Sequence, residues 1–112
     1  MEVPSLRTID DGLIQRVKRR IVAACDPAAI LLFGSAAHGE TRSGSDVDLL
    51  VVMDLPDGVR PRDQARELYR LFRGELIPLD IAVRTPEHFR RTRRLPGFVS
   101  NVAAEEGIRI YG

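Results

Sequence analysis

An α/β fold, a small β-sheet flanked by helices, is predicted for this 112-residue chain by three features: apolar stripes at helical spacing, short apolar runs between them, and turn residues where the period changes. Leu13, Ile14, Val17, Ile21 and Val22 form the first stripe, between Asp10 or Asp11 as cap and the breaker Asp26-Pro27. Ala29 to Phe33 is a strand-like run ended by Gly34-Ser35, and Val47 to Met53 is a second, richer in β-branched residues and ended by Asp54-Leu55-Pro56-Asp57-Gly58. A middle helix follows over Arg62 to Phe72, with Ala65, Leu68, Tyr69 and Phe72 on its stripe and Arg60, Arg62, Arg66, Arg70 and Arg73 on its polar side. Ile77 to Val83 returns to strand character. Thr85-Pro86-Glu87 starts another helix, Leu95-Pro96-Gly97 breaks it, and Phe98 to Glu106 forms the last helix before Gly107 and the short apolar tail Ile108 to Tyr111.

Composition narrows the function classes. At 44% hydrophobic and 29% charged, residues 1–112 suit one globular domain, without internal repeats or a separating linker. The net charge of +1 gives no global attraction to nucleic acid or acidic membranes. Cys25 is the only cysteine, which excludes an intramolecular disulfide and a cysteine-built zinc site and favours a cytoplasmic setting. No secretory leader is expected, and no run reaches the roughly 18 apolar residues that span a bilayer.

The chemistry concentrates in FGSAAHGETRSGSDVDLLVV, residues 33–52. On a strand, Asp46 and Asp48 project to one face while Val47, Leu49 and Val51 point to the other. Asp80 is the only acid in IPLDIAV, whose Ile77, Leu79, Ile81 and Val83 face the opposite side. If the two strands are neighbours, three carboxylates converge, and their repulsion calls for a divalent cation with an oxygen-ligand preference, magnesium or manganese. Upstream, Gly34 lets an anion approach the backbone, and Ser35 offers a hydroxyl and an N–H where Ala36-Ala37-His38 can begin a helical turn. Gly39 and Gly44 shape the return to the aspartate strand, and Ser45 can hydrogen-bond in that turn. A lysine-bearing phosphate loop is excluded, because Lys18 is the only lysine.

Gly34-Ser35, ten intervening residues and Asp46-Val47-Asp48, followed by a strand aspartate, resemble the signature of the DNA polymerase β-like nucleotidyltransferase superfamily. GSAAHGETRSGSDVDLLVV and the ending AAEEGIRIYG are similar to its minimal nucleotidyltransferase branch. The resemblance implies a mixed sheet with flanking helices. It also implies two magnesium ions held by Asp46 and Asp48 with Asp80 as third ligand and base, and a nucleoside triphosphate, ATP first among them, held at Gly34 and Ser35. Ser45 joins these as a candidate nucleotide-binding residue. Many relatives carry an arginine or aromatic residue just after Gly-Ser and an arginine two positions later; Ala36 and His38 stand there in this chain, which bears on triphosphate affinity and base choice. Members of the branch are often antitoxins that adenylylate a tyrosine of a HEPN-type toxin, which makes such a partner, or a second copy of the chain, an expected companion.

Plainer readings stand beside these. Asp46 and Asp48 can be solvated acids guarding a strand edge, with Asp80 paired to an arginine. His38 reads as an exposed loop residue, and Cys25 as a small buried hydrophobe. Arg90, Arg91, Arg93 and Arg94 are either a solvated helix face or a grip on an acidic partner or RNA. The functional alternative to an active transferase is a module of the same fold that neutralises a partner by masking it.

Overall fold

The computed structural model describes residues 5–34, 37 and 47–112. Eight elements follow one another as α1 (Ser5–Cys25), β1 (Ala29–Phe33), β2 (Val47–Val52), α2 (Pro61–Arg70), β3 (Leu79–Arg84), α3 (Pro86–Thr92), α4 (Val99–Glu106) and β4 (Ile108–Tyr111). The strands form one mixed sheet in the order β3-β2-β1-β4. β1 is antiparallel to both neighbours, whereas β2 and β3 are parallel, as a connection through a helix requires.

Burial on both sides of the sheet explains why the central strands are so apolar. Alternation sends Val47, Leu49 and Val51 into one layer, where they pack with Ile14, Val17 and Ile21 of α1 and Leu68 and Phe72 on the α2 side. Leu50 and Val52 enter a second layer with Ala29, Leu31, Phe89 of α3 and Ala103 of α4. Fully burying a side chain of this size contributes roughly 1.5–3 kcal/mol, so the central strand's five apolar residues anchor the domain. Arg20 links α1 to the end of α2: its guanidinium donates to the Leu71 carbonyl (3.2 Å), pairs with Glu75 and lies 5.4 Å from the Phe72 ring centre.

Several elements depart from the sequence-based boundaries. α1 begins at Ser5, so Asp10 and Asp11 lie inside the helix rather than capping it; the sequence holds no proline between position 4 and Pro27 to stop it. The helix ends with Asp26 at φ +44°, a left-handed position, immediately before Pro27. α2 starts at Pro61, its fixed φ suiting the first helical position, and β3 starts at Leu79 because Pro78 precedes it. Thr85 caps α3 as its sequence suggests, its hydroxyl accepting the His88 N–H at 3.2 Å.

The apolar tail is a strand. β4 pairs antiparallel with β1, Leu31 opposite Arg109 and Leu32 opposite Ile108. Gly107 makes this return possible: a Cβ there would stand 2.7 Å from the Leu32 carbonyl oxygen. The Tyr111 hydroxyl then donates to the Asp26 carboxylate at 3.0 Å, which holds the phenol proton more tightly than usual and ties the end of the sheet to the end of α1.

Candidate active site

The site is built where the carboxyl end of β1 meets the start of β2. Antiparallel pairing sets Phe33 opposite Asp48, and the next residue of β1's chain, Gly34, turns away at φ +77°. That conformation admits glycine with little strain. Space adds a second requirement, since a Cβ on Gly34 would fall onto the Asp48 carboxylate, only 3.3 Å from its Cγ. The Ala37 N–H donates back to the Gly34 carbonyl at 3.1 Å. A glycine corner and an aspartate are therefore in contact across two strands.

β2 and β3 are neighbours, and their register places Asp48 opposite Asp80. Both side chains leave the sheet on the face that Leu50 and Val52 bury beneath α3 and α4, but at the end where the strands begin. Asp48 is half-buried there and Asp80 is exposed. Adjacent strands lie about 4.8 Å apart, so the two carboxylates share one small region, where like charges directly opposite each other are unfavourable without compensation. A pair of hard oxygen donors beside a backbone corner stripped of its Cβ fits a divalent cation carrying phosphate oxygens.

Asp46, Ser35 and Ser45 lie outside the described residues, as do Ala36 and His38. Among the described residues no third ligating side chain joins Asp48 and Asp80. The arginines expected to form either a solvated face or a partner grip are all exposed; Arg91 pairs with Glu87 at 3.8 Å, and the Arg93 guanidinium sits 5.4 Å from the Phe89 ring centre. Cys25 donates to the Ile21 carbonyl at 3.3 Å and packs against the core, and burial, aided by Asp26, pushes its thiol up. A thiol held protonated in this way is a packing group rather than a nucleophile.

Sequence reasoning missed what surrounds β3. Tyr69, read as part of the apolar stripe, is 40% exposed, and its hydroxyl accepts the Ile81 N–H at 2.7 Å. Arg84 shares a strand face with Asp80, four residues along. Arg62 and Arg66, read as part of the polar side of α2, are exposed there and also border a slot against β3. The i, i+3, i+4, i+7 spacing of Arg62, Ala65, Arg66 and Tyr69 is the signal that puts them on one face.

An α/β sheet that presents register-matched carboxylates beside a glycine corner is suited to phosphoryl-group chemistry assisted by metal ions, a class distinct from the lysine-dependent phosphate loops. Residues 11–110 match the family model of the nucleotidyltransferase domain, and the chain belongs to that family. The fold is similar to the crystal structure of a protein from Sulfolobus solfataricus described as a candidate nucleotidyltransferase. The match has a TM-score of 0.62 at 17% identity and covers 92% of this chain and 80% of the other. A search of curated proteins finds no match to the chain. Among the described residues, no helix is long and apolar enough to cross a membrane.

Proposed function

We propose that this nucleotidyltransferase domain transfers AMP from ATP, with magnesium, to a hydroxyl of a partner protein. The acceptor in this reading is a tyrosine of a HEPN-type toxin, for which the chain is the cytoplasmic antitoxin. The register of Asp48 opposite Asp80, with Gly34 packed on the Asp48 carboxylate, is the observation that carries the reading. Asp46, Asp48 and Asp80 hold the metal, while Gly34, Ser35 and Ser45 hold the triphosphate. Magnesium bound to these acids supplies charge neutralisation at the triphosphate, which favours in-line displacement at the α-phosphorus. Asp80 is the exposed member of the pair, open to an incoming acceptor, and takes the proton from its hydroxyl. Gly34 keeps the β1 corner low enough for phosphate oxygens to approach the backbone. AMP becomes esterified to the acceptor oxygen and pyrophosphate leaves.

Incubation with a HEPN-type toxin, magnesium and ATP labelled at the α-phosphate is expected to label a toxin tyrosine, whereas γ-labelled ATP leaves it unlabelled. Asp46→Asn combined with Asp48→Asn abolishes the labelling. Toxin neutralisation that persists at full strength in this double variant contradicts transfer as the mechanism and identifies masking instead.

A further inference from the structure

The connection between α3 and α4 is a braced turn. The Leu95 N–H donates to the Thr92 carbonyl at 3.0 Å and the Phe98 N–H to the Leu95 carbonyl at 3.4 Å, which puts Pro96 and Gly97 in the two central positions. Proline brings its fixed φ, and Gly97 stands at φ +96°, the combination that a type II turn requires. On either side, the Asn101 amide donates to the Arg93 carbonyl at 2.8 Å, and the His88 and Phe98 rings meet edge to face with centres 6.2 Å apart. The backbone at this corner therefore has little freedom to fold its side chains away.

Yet the turn leaves its apolar ends in water. Leu95 is 47% and Phe98 43% exposed, two of the five large apolar side chains so exposed among the described residues. Arg90, Arg91, Arg93 and Arg94 lead directly into the turn, all of them exposed, and the sequence carries no acid between Glu87 and Glu105. Arg91 turns to Glu87 and Arg93 to the Phe89 ring, whereas Arg90 and Arg94 have no acid of their own stretch to meet. An apolar centre with arginines beside it has the make-up of a protein-recognition patch rather than of a solvated helix face. Its charge selects carboxylates on what it meets. A nucleic-acid strand is the poorer fit, since Phe98 offers a single ring and Leu95 beside it cannot stack on a base.

We propose that the Leu95–Phe98 turn docks a protein partner that presents an apolar pocket rimmed with carboxylates. Leu95 and Phe98 enter the pocket, and Arg90 and Arg94 meet the rim. The apolar pair then sets how long the complex lasts, and the arginines set how fast it forms and how strongly salt weakens it. None of the four residues is a candidate for the nucleotide site, so the inference goes beyond the transfer reaction and does not depend on it.

The test uses a fluorescein-labelled ten-residue peptide of leucine and glutamate in equal number, titrated by anisotropy at physiological salt without metal or nucleotide. Leu95→Ser with Phe98→Ser is expected to weaken binding by about tenfold or more, and so is Arg90→Glu with Arg94→Glu. Leu95→Ser alone, at a half-exposed position that the fold does not need, weakens it by about fivefold and decides the matter if the double serine variant melts early. The charge-matched control Arg62→Glu with Arg66→Glu, on α2 across the sheet, leaves binding within about twofold. Loss in the arginine pair without loss in the serine variants reduces the binding to general charge attraction and overturns the proposal. So does an equal loss in the α2 control, a wild-type protein that does not bind the peptide, or a ten-nucleotide single-stranded RNA that binds more tightly and depends on Arg90 and Arg94. Magnesium and ATP are absent, so failure here leaves nucleotide binding at the aspartates untouched, and a failure of nucleotide binding leaves the peptide result standing.

Discussion

Asp80→Asn lowers nucleotidyl transfer by about 10²–10⁴-fold, the contribution typical of a positioned general base, while the protein stays folded. The side chain is exposed on an outer strand, and the amide has nearly the shape of the carboxylate, so no core contact is lost. The loss falls on chemistry: an asparagine cannot take the acceptor proton, and it removes one of the two charges that the strand register sets side by side. Single-turnover transfer, measured on protein whose circular dichroism and melting temperature match the wild type, reads this effect directly. A variant that melts normally and transfers at the wild-type rate rules Asp80 out as the base.

Gly34→Ala is expected to damage both fold and activity. Holding alanine at φ +77° costs about 1–3 kcal/mol, and its Cβ must displace either the Asp48 carboxylate or the corner itself. A displacement of about 1 Å at a reacting centre is sufficient to cost about 10²-fold in rate. The two losses separate in experiment, because a urea midpoint reports the strain and single-turnover transfer at a temperature where the variant is fully folded reports the misplaced aspartate. Unchanged activity in folded Gly34→Ala protein contradicts the role given to this corner.

The residues that announced the fold are those whose environment is local and repetitive. Ala29 to Phe33 was legible as a strand to the residue, and Ile14, Val17 and Ile21 as the buried face of α1, because period and burial coincide there. β4 was not legible as a strand: four residues carry too little pattern, and β1 supplies the pairing that makes them one. The start of α1 was misjudged because Asp10 and Asp11 look like caps whether or not a helix precedes them.

At the site, the alternation of Val47, Asp48 and Leu49 told which way Asp48 points, but not that its strand neighbours β3. Register is a property of two strands, and only the assembled sheet sets Asp48 opposite Asp80. The surroundings of β3 were hidden for a related reason. Tyr69 and Arg62 sit on a helix whose sequence shows two plausible faces, an apolar one through Leu68 and Phe72 and a charged one. The edge of β3 divides that charged face: Arg62 and Arg66 border the slot, and Arg70 stays in an exposed pair with Glu67.

The most direct measurement of the central claim is a calorimetric titration of ATP into the wild-type protein and into the Asp46→Asn, Asp48→Asn double variant, each with and without magnesium. Carboxylates that hold metal and triphosphate together predict binding only in the wild type and only when magnesium is present. Binding of equal strength in the double variant, or binding indifferent to magnesium, contradicts the claim that these aspartates form the nucleotide site.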